Sequence, residues 1–191
     1  MLTACVNVGT KYSDDYVARL KHGIEKHLGD DHEFICFSDH EIEGVQCRWV
    51  PPELPGWWAK LYLFSLGVPL LYFDLDVVIV DDLKPLLSWE GFGILDDWWL
   101  PGFNSSVMKL TGTEDHVWSA FRLEHTKTLR QGDQQWISMM LPEAKTFPGE
   151  WFPSYKASKC QEAIPDGARA VIFHGQPRPH EVGGWVKEKW V

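Results

Sequence analysis

Apolar positions along this chain follow two rhythms, and the switches between them mark out the elements. Residues 2–8 form a short apolar run, and Gly9 and Thr10 turn it into a segment where Tyr16, Leu20, Ile24 and Leu28 recur every four residues. That spacing predicts a helix, with Ser13 and Asp14 available to cap its start and Gly29 to end it. Residues 33–38 are the next apolar run, so the opening reads strand, helix, strand, a parallel pair joined by a crossover helix. A short strand over 46–50 precedes the breakers Pro51, Pro52, Pro55 and Gly56, and 57–66 reads as a helix closed by Gly67 and Pro69. Further on, 91–95, 103–110 and 170–173 read as strands, and 114–123 and 133–140 as helices, the second starting at Gly132 and Asp133. With 191 residues and no repeat, low-complexity stretch or linker, the pattern predicts one α/β domain spanning residues 1–191.

Residues 70–82, LLYFDLDVVIVDD, stand out because an apolar, β-branched run carries two carboxylates, Asp74 and Asp76, one residue apart. In a strand both would leave the backbone on the same side and present their oxygens to one point. Like charges buried there are tolerable when a hard divalent cation, Mg²⁺ or Mn²⁺, sits between them. The competing reading is a strand that has already ended, with both aspartates in a solvated turn. The apolar residues 77–80 favour the first reading, since they place the pair inside the run.

Charge and composition narrow the function classes. A net charge of −9 argues against a nucleic-acid backbone as partner. Residues 156–191 run the other way, with six basic against four acidic side chains, which suits an anionic ligand clamped from the C-terminal side and equally suits a solvated tail. The 11 tryptophans offer stacking platforms for sugars or nucleobases, though core positions will absorb most. Cys5, Cys36, Cys47 and Cys160 form no CxxC pair, which points to buried thiols in a reducing compartment. The opening MLTACVNVGT lacks the features of a signal peptide, and the longest apolar run, 61–73, is broken by Gly67 and Pro69 and too short for a bilayer. A cytoplasmic protein without a transmembrane segment is expected.

Four pieces, in this order, resemble the retaining glycosyltransferases of the GT-A fold, in particular the family-eight group of lipopolysaccharide sugar transferases and glycogenins. They are Phe73-Asp74-Leu75-Asp76, Phe103-Asn104-Ser105-Ser106-Val107-Met108, Gly132-Asp133-Gln134, and Phe173-His174-Gly175 with Arg178-Pro179. The resemblance runs from about Thr3 to about His180. It implies a Rossmann-like mixed, mostly parallel sheet with flanking helices, and an enzyme that moves a hexose from a nucleotide-diphosphate sugar, usually a UDP-sugar, to an acceptor hydroxyl on a glycan, lipid-linked sugar or protein. By the same resemblance Asp74, Asp76 and His174 bind Mn²⁺ (or Mg²⁺), and Gly175 and Arg178 meet the diphosphate. Lys60 and Asn104 contact the donor, Tyr12 stacks on its base, and Asp133 and Gln134 lie beside the anomeric carbon. Arg178 stands where the family usually has lysine, and Phe103-Asn104-Ser105 departs slightly from the usual FNAG or FNSG.

Each residue also has a plainer reading: Lys60 as a solvated helix residue, Asn104 as a turn residue, His174 as a surface cap and Tyr12 as a surface ring. The cluster Asp96, Asp97, Trp98 and Trp99 could border an acceptor site or simply be a buried aromatic cluster. Two other functions compete. One is a haloacid-dehalogenase-like phosphatase, with Asp74 as nucleophile and Asp76 as acid/base, which lacks the second acidic pair such enzymes need. The other is a non-catalytic module that keeps a nucleotide-sugar site. Neither sugar nor acceptor is readable from the residues, because discrimination between epimers lies in pocket shape.

Overall fold

The computed structural model describes residues 1–29 and 31–191. The opening folds as its periodicity predicts. Strand β1 (Leu2–Asn7), helix α1 (Asp14–Leu28) and strand β2 (Glu33–Ser38) follow in order, and β1 pairs with β2 in parallel. Tyr16, Val17, Leu20, Ile24 and Leu28 are the buried stripe of α1, and Gly29 ends it at φ 88°. Strand β3 (Gln46–Trp49) extends the sheet as a parallel edge.

Residues 56–66 wind as an 11-residue 3₁₀ helix, Gly56–Leu66, where a helix of ordinary period was expected. Apolar side chains surround it, with Trp58, Ala59, Leu61, Leu63 and Phe64 buried, so no single stripe selects the 3.6-residue period. The tighter winding sets side chains three apart in line.

Strand β4 (Leu70–Phe73) then stops earlier than expected. Residues 74–76 form a turn, with Val77 N donating to Asp74 O at 3.2 Å, and β5 (Val77–Ile79) leaves the main sheet. Asp74 and Asp76 therefore do not share one face of a continuous strand, which corrects the period-two argument. The turn is fixed from outside the run, by Asp74 N donating to Ser106 O (2.8 Å) and Phe173 N donating to Asp76 O (3.2 Å). Nor is it solvated, since Asp76 is buried.

The remaining elements are β6 (Gly93–Asp96), β7 (Phe103–Leu110), the one-turn helices α2 (His116–Ser119) and α3 (His125–Thr128), α4 (Asp133–Met140), β8 (Lys145–Thr146), β9 (Ala170–Ile172) and α5 (Trp185–Lys189). Among the described residues the main sheet has the order β3-β2-β1-β4-β7-β6-β8, and β5 pairs with β9 in a second, antiparallel ribbon. The main sheet is mostly parallel, with β7 antiparallel to both of its neighbours. That reversal matters for the site. An antiparallel strand begins where the parallel ones end, so Asn104, Ser105 and Ser106 lie beside the carboxyl end of β4.

Both faces of the sheet are covered. Leu71 and Phe73 pack with α1 and the β5/β9 ribbon, whereas Leu70 and Tyr72 pack with the 3₁₀ helix and Trp136 of α4. Alternate side chains of one short strand thus feed two cores, as a doubly covered strand requires. The four cysteines are free thiols, and among the described residues no helix is long and apolar enough to cross a membrane.

Candidate active site

A cavity of about 420 Å³ opens at the carboxyl ends of β1 and β4. Of the residues singled out in the sequence, Tyr12, Lys60, Asp74, Asp76, Asn104, Asp133, Gln134, His174 and Gly175 line it, and Arg178 does not.

Its floor is an ion network. Lys60 is only 3% exposed, and its Nζ donates to Asp74 Oδ1 (2.8 Å), Ser105 Oγ (3.1 Å) and the Ser105 carbonyl (3.4 Å), with Asp133 Oδ2 at 3.4 Å. Burial opposes the ammonium, but Asp133 and then Asp74 more than offset it and its pKa is raised. Asp133 is pushed up by burial, against the pull of Lys60 and of the 2.5 Å hydrogen bond from Ser105 Oγ. The solvated reading of Lys60 is thereby excluded.

The two turn carboxylates point to different partners. Asp74 Oδ1 also accepts from Tyr72 OH (2.5 Å), and Asp76 Oδ2 accepts from Tyr12 OH (2.6 Å). Burial, and next the charge of Asp74, push Asp76 up to about 6, although Tyr12 pulls the other way. Oδ2 of Asp74 and Oδ1 of Asp76 are the oxygens left to meet a cation. Two carboxylates that repel each other in a buried cavity, with hard oxygen donors to spare, fit a divalent ion.

His174 reaches this cavity because β9 pairs with β5 and Phe173 is tied to Asp76. Its Nε2 bonds Ser154 Oγ at 2.6 Å, and its ring stacks on Trp98, centroids 5.1 Å apart and 9° from parallel. Burial, and then the Lys156 ammonium, lower its pKa to about 4, so the imidazole is neutral at pH 7. Among the described residues no three His, Cys, Asp or Glu side chains are grouped to hold one metal ion. Gly175 sits at φ 78°, a conformation that favours glycine.

Tyr12 is placed differently from a free stacking ring. Arg178 Cζ lies 5.2 Å and Lys11 Nζ 4.7 Å from its ring centroid. Arg178 Nη1 donates to Lys11 O at 3.0 Å, so Arg178 ties the C-terminal loop to the loop after β1 rather than lining the cavity. Asn104 Oδ1 accepts from Ser106 N (3.0 Å), which leaves Nδ2 as the end a ligand can use. Gln134 Nε2 donates to Asp97 Oδ2 at 3.4 Å.

The sequence did not reveal the parts played by the hydroxyls of Tyr72, Ser105 and Ser154, the tie between Gln134 and Asp97, or the place of Trp57. Tyr72 was the findable one, two residues before Asp74 in the same apolar run, with a hydroxyl long enough to reach it.

No family model matches the chain, and no curated protein matches its sequence. Solved structures do. LgtC, a galactosyltransferase in complex with donor and acceptor sugar analogues, aligns with a TM-score of 0.67 at 13% identity, over 94% of this chain and 89% of LgtC. An active-site mutant of LgtC gives a TM-score of 0.74 at 12% identity, over 100% and 94%. The glycosyltransferase GlyE of Streptococcus pneumoniae gives 0.74 at 12%, over 99% of this chain and 59% of GlyE. Likeness at such identities establishes a fold, and the fold is that of the GT-A glycosyltransferases, as the sequence resemblance implies. These similarities lend no support to the phosphatase reading of Asp74 and Asp76.

Proposed function

We propose that this chain transfers a hexose from a nucleotide-diphosphate sugar, a UDP-sugar, to an acceptor hydroxyl, with retention at the anomeric carbon. The observation that carries the reading is the cavity at the strand ends of a GT-A fold, where Asp74, Asp76, Lys60, Asn104, Asp133 and Gln134 converge. The LgtC structure holding donor and acceptor sugar analogues lends it support by analogy. Asp74 and Asp76 would hold Mn²⁺ or Mg²⁺, whereas His174, bonded to Ser154 and stacked on Trp98, is not grouped with them and would join the cation only if its ring moved. A bound cation would offset the charge of the departing diphosphate.

The chain's own groups do the rest. Lys60 holds Asp133 and Asp74 in place, Asp133 accepts from a sugar hydroxyl, Asn104 Nδ2 donates to one, and Gly175 admits the diphosphate close to the backbone. Asp133 Oδ2 is taken by Ser105 and Lys60, which leaves Oδ1 for the sugar, and Gln134 takes no proton. Gln134 cannot serve as the general base that inversion needs, and the Lys60 ammonium beside Asp133 opposes its taking a proton, which supports retention. The four free thiols fit a cytoplasmic location.

The test is a thermal-shift series with UDP, Mn²⁺ and chelator. UDP is expected to raise the melting temperature only with the divalent cation present, and Asp76→Ala to abolish that rise. Equal stabilisation in chelator sinks the metal assignment.

A further inference from the structure

The cavity is lined by an exposed side chain that the proposed chemistry does not use. Trp57 is 56% exposed, whereas the next residue, Trp58, is buried and stacked on Phe121. The three-residue repeat of the 3₁₀ helix sets Trp57 one turn before Lys60, and both line the cavity together with Arg130 and Gln131. Its indole edge rests on Gly132. A Cβ built there would stand 2.4 Å from Trp57 Nε1 and 2.9 Å from Cδ1, so only glycine admits the ring against the backbone that leads into Asp133.

Contacts give the cavity an order. Tyr12 bonds Asp76, Lys60 bonds Asp74 and Asp133, and Trp57 adjoins Gly132 at the far end of that line. Asp133 and Asn104 are buried, whereas Arg130 and Gln131 are exposed beside Trp57. The buried Asp133 and Asn104 suit the part of a ligand that is enclosed, and the exposed Trp57, Arg130 and Gln131 suit a part that stays open to solvent.

We infer that Trp57 is the platform on which the acceptor stacks, and that the acceptor is a saccharide. The inference rests on the glycosyl-transfer reading and adds the acceptor class to it. A pyranose has one face of C–H bonds and a rim of hydroxyls. The indole face offers a broad apolar surface, negative at its centre, to the first. The Arg130 guanidinium and the Gln131 amide beside it suit the second. A serine or threonine on a polypeptide has no flat C–H face for the ring to cover.

UDP release from UDP-glucose and UDP-galactose in Mn²⁺ tests this. The added acceptors are methyl glucosides, methyl galactosides, lactose, maltose and, separately, a Ser/Thr-rich peptide mixture. The variants are Trp57→Ala, Trp57→Phe and Trp49→Ala, the last removing an indole that is 66% exposed on edge strand β3. At least one saccharide is expected to speed release above hydrolysis. Trp57→Ala raises the KM for that saccharide about tenfold or more, Trp57→Phe raises it less than about threefold, and the donor KM moves less than about threefold in both. Trp49→Ala changes neither. Three results overturn the inference: the peptide mixture alone stimulates release, no saccharide does so from a donor that is hydrolysed, or Trp57→Ala raises donor and saccharide KM alike. No release from either UDP-sugar by a cooperatively melting protein removes the glycosyl-transfer reading, and the acceptor inference with it.

Discussion

Replacing Lys60 by methionine isolates the ion network on which the site is built. Methionine keeps the length and apolar stem of lysine but brings no charge. The ammonium is 2.8 Å from Asp74 Oδ1 and 3.4 Å from Asp133 Oδ2, and at an effective dielectric constant of about 20 each contact is worth roughly 5–6 kcal/mol of Coulomb energy. Burying the ammonium costs several kcal/mol of hydration, so the pair itself is nearly balanced. The loss on substitution comes from what stays behind, a carboxylate on Asp133 that is 5% exposed and now has only Ser105. Asp74 is more open to water and suffers less. Breaking a buried pair in this way costs about 3–5 kcal/mol. Urea unfolding followed by circular dichroism should show a lower midpoint at unchanged slope, and the melting temperature should fall by roughly 6–20 °C. Adding Asp133→Asn to Lys60→Met should recover about 0.5–3 kcal/mol, because the stranded charge is gone. A loss below about 1 kcal/mol in the single variant, or no recovery in the double, would refute the claim that Lys60 is the counter-ion of this site.

Other consequences follow from single contacts. Gly132→Ala, at φ 71° and with its new Cβ 2.4 Å from Trp57, should cost about 1–3 kcal/mol in the same unfolding assay, and an unchanged midpoint would show that the indole is not seated there. Tyr12→Phe leaves Asp76 buried without its 2.6 Å donor and should destabilise by about 1–3 kcal/mol, whereas a neutral effect would mean that the hydroxyl is not holding that carboxylate. His40 bonds Asp14 (2.8 Å) and Asp39 (2.9 Å), which raises its pKa, so its contribution is complete below the unfolded pKa of about 6.5 and is lost as pH rises through the folded one. Because these groups are more than a third exposed, the stability gap between wild type and His40→Gln should be only about 0.2–1 kcal/mol at pH 5 and should close by about pH 8.5. A gap that widens with pH contradicts the assignment.

The sequence is legible where one element settles its own period. The four-residue recurrence in α1, the β1–α1–β2 opening, β7 and α4 all fall where the pattern places them. The break at Asp74 is not visible in LLYFDLDVV, since the residues on either side are equally apolar. What fixes the turn after β4 is a hydrogen bond from Asp74 N to the carbonyl of Ser106, more than thirty residues on, and what redirects β5 is its pairing with β9. The sequence singled out Asp74, Asp76 and His174, which line one cavity, but the bonding of Asp74 to Lys60 and Tyr72, and of Asp76 to Tyr12, depends on how β1, β4 and the 3₁₀ helix meet. The unusual winding of Gly56–Leu66 likewise arises from its enclosure, and it is this winding that turns both Trp57 and Lys60 toward the cavity. Arg178 shows the opposite failure. Its position in a motif suggested phosphate, whereas its guanidinium spans to the carbonyl of Lys11.

The proposed reaction is hexosyl transfer from a UDP-sugar at the Asp74, Asp76 and Asp133 cavity. It is tested most directly by UDP release from UDP-glucose and UDP-galactose with Mn²⁺, comparing wild type with Asp133→Asn. Metal-dependent release is expected from wild type and, for Asp133→Asn, a turnover lowered by about tenfold or more, because a charge-assisted hydrogen bond to the sugar is lost. Release that is absent from wild type, or equal in the two proteins, contradicts it.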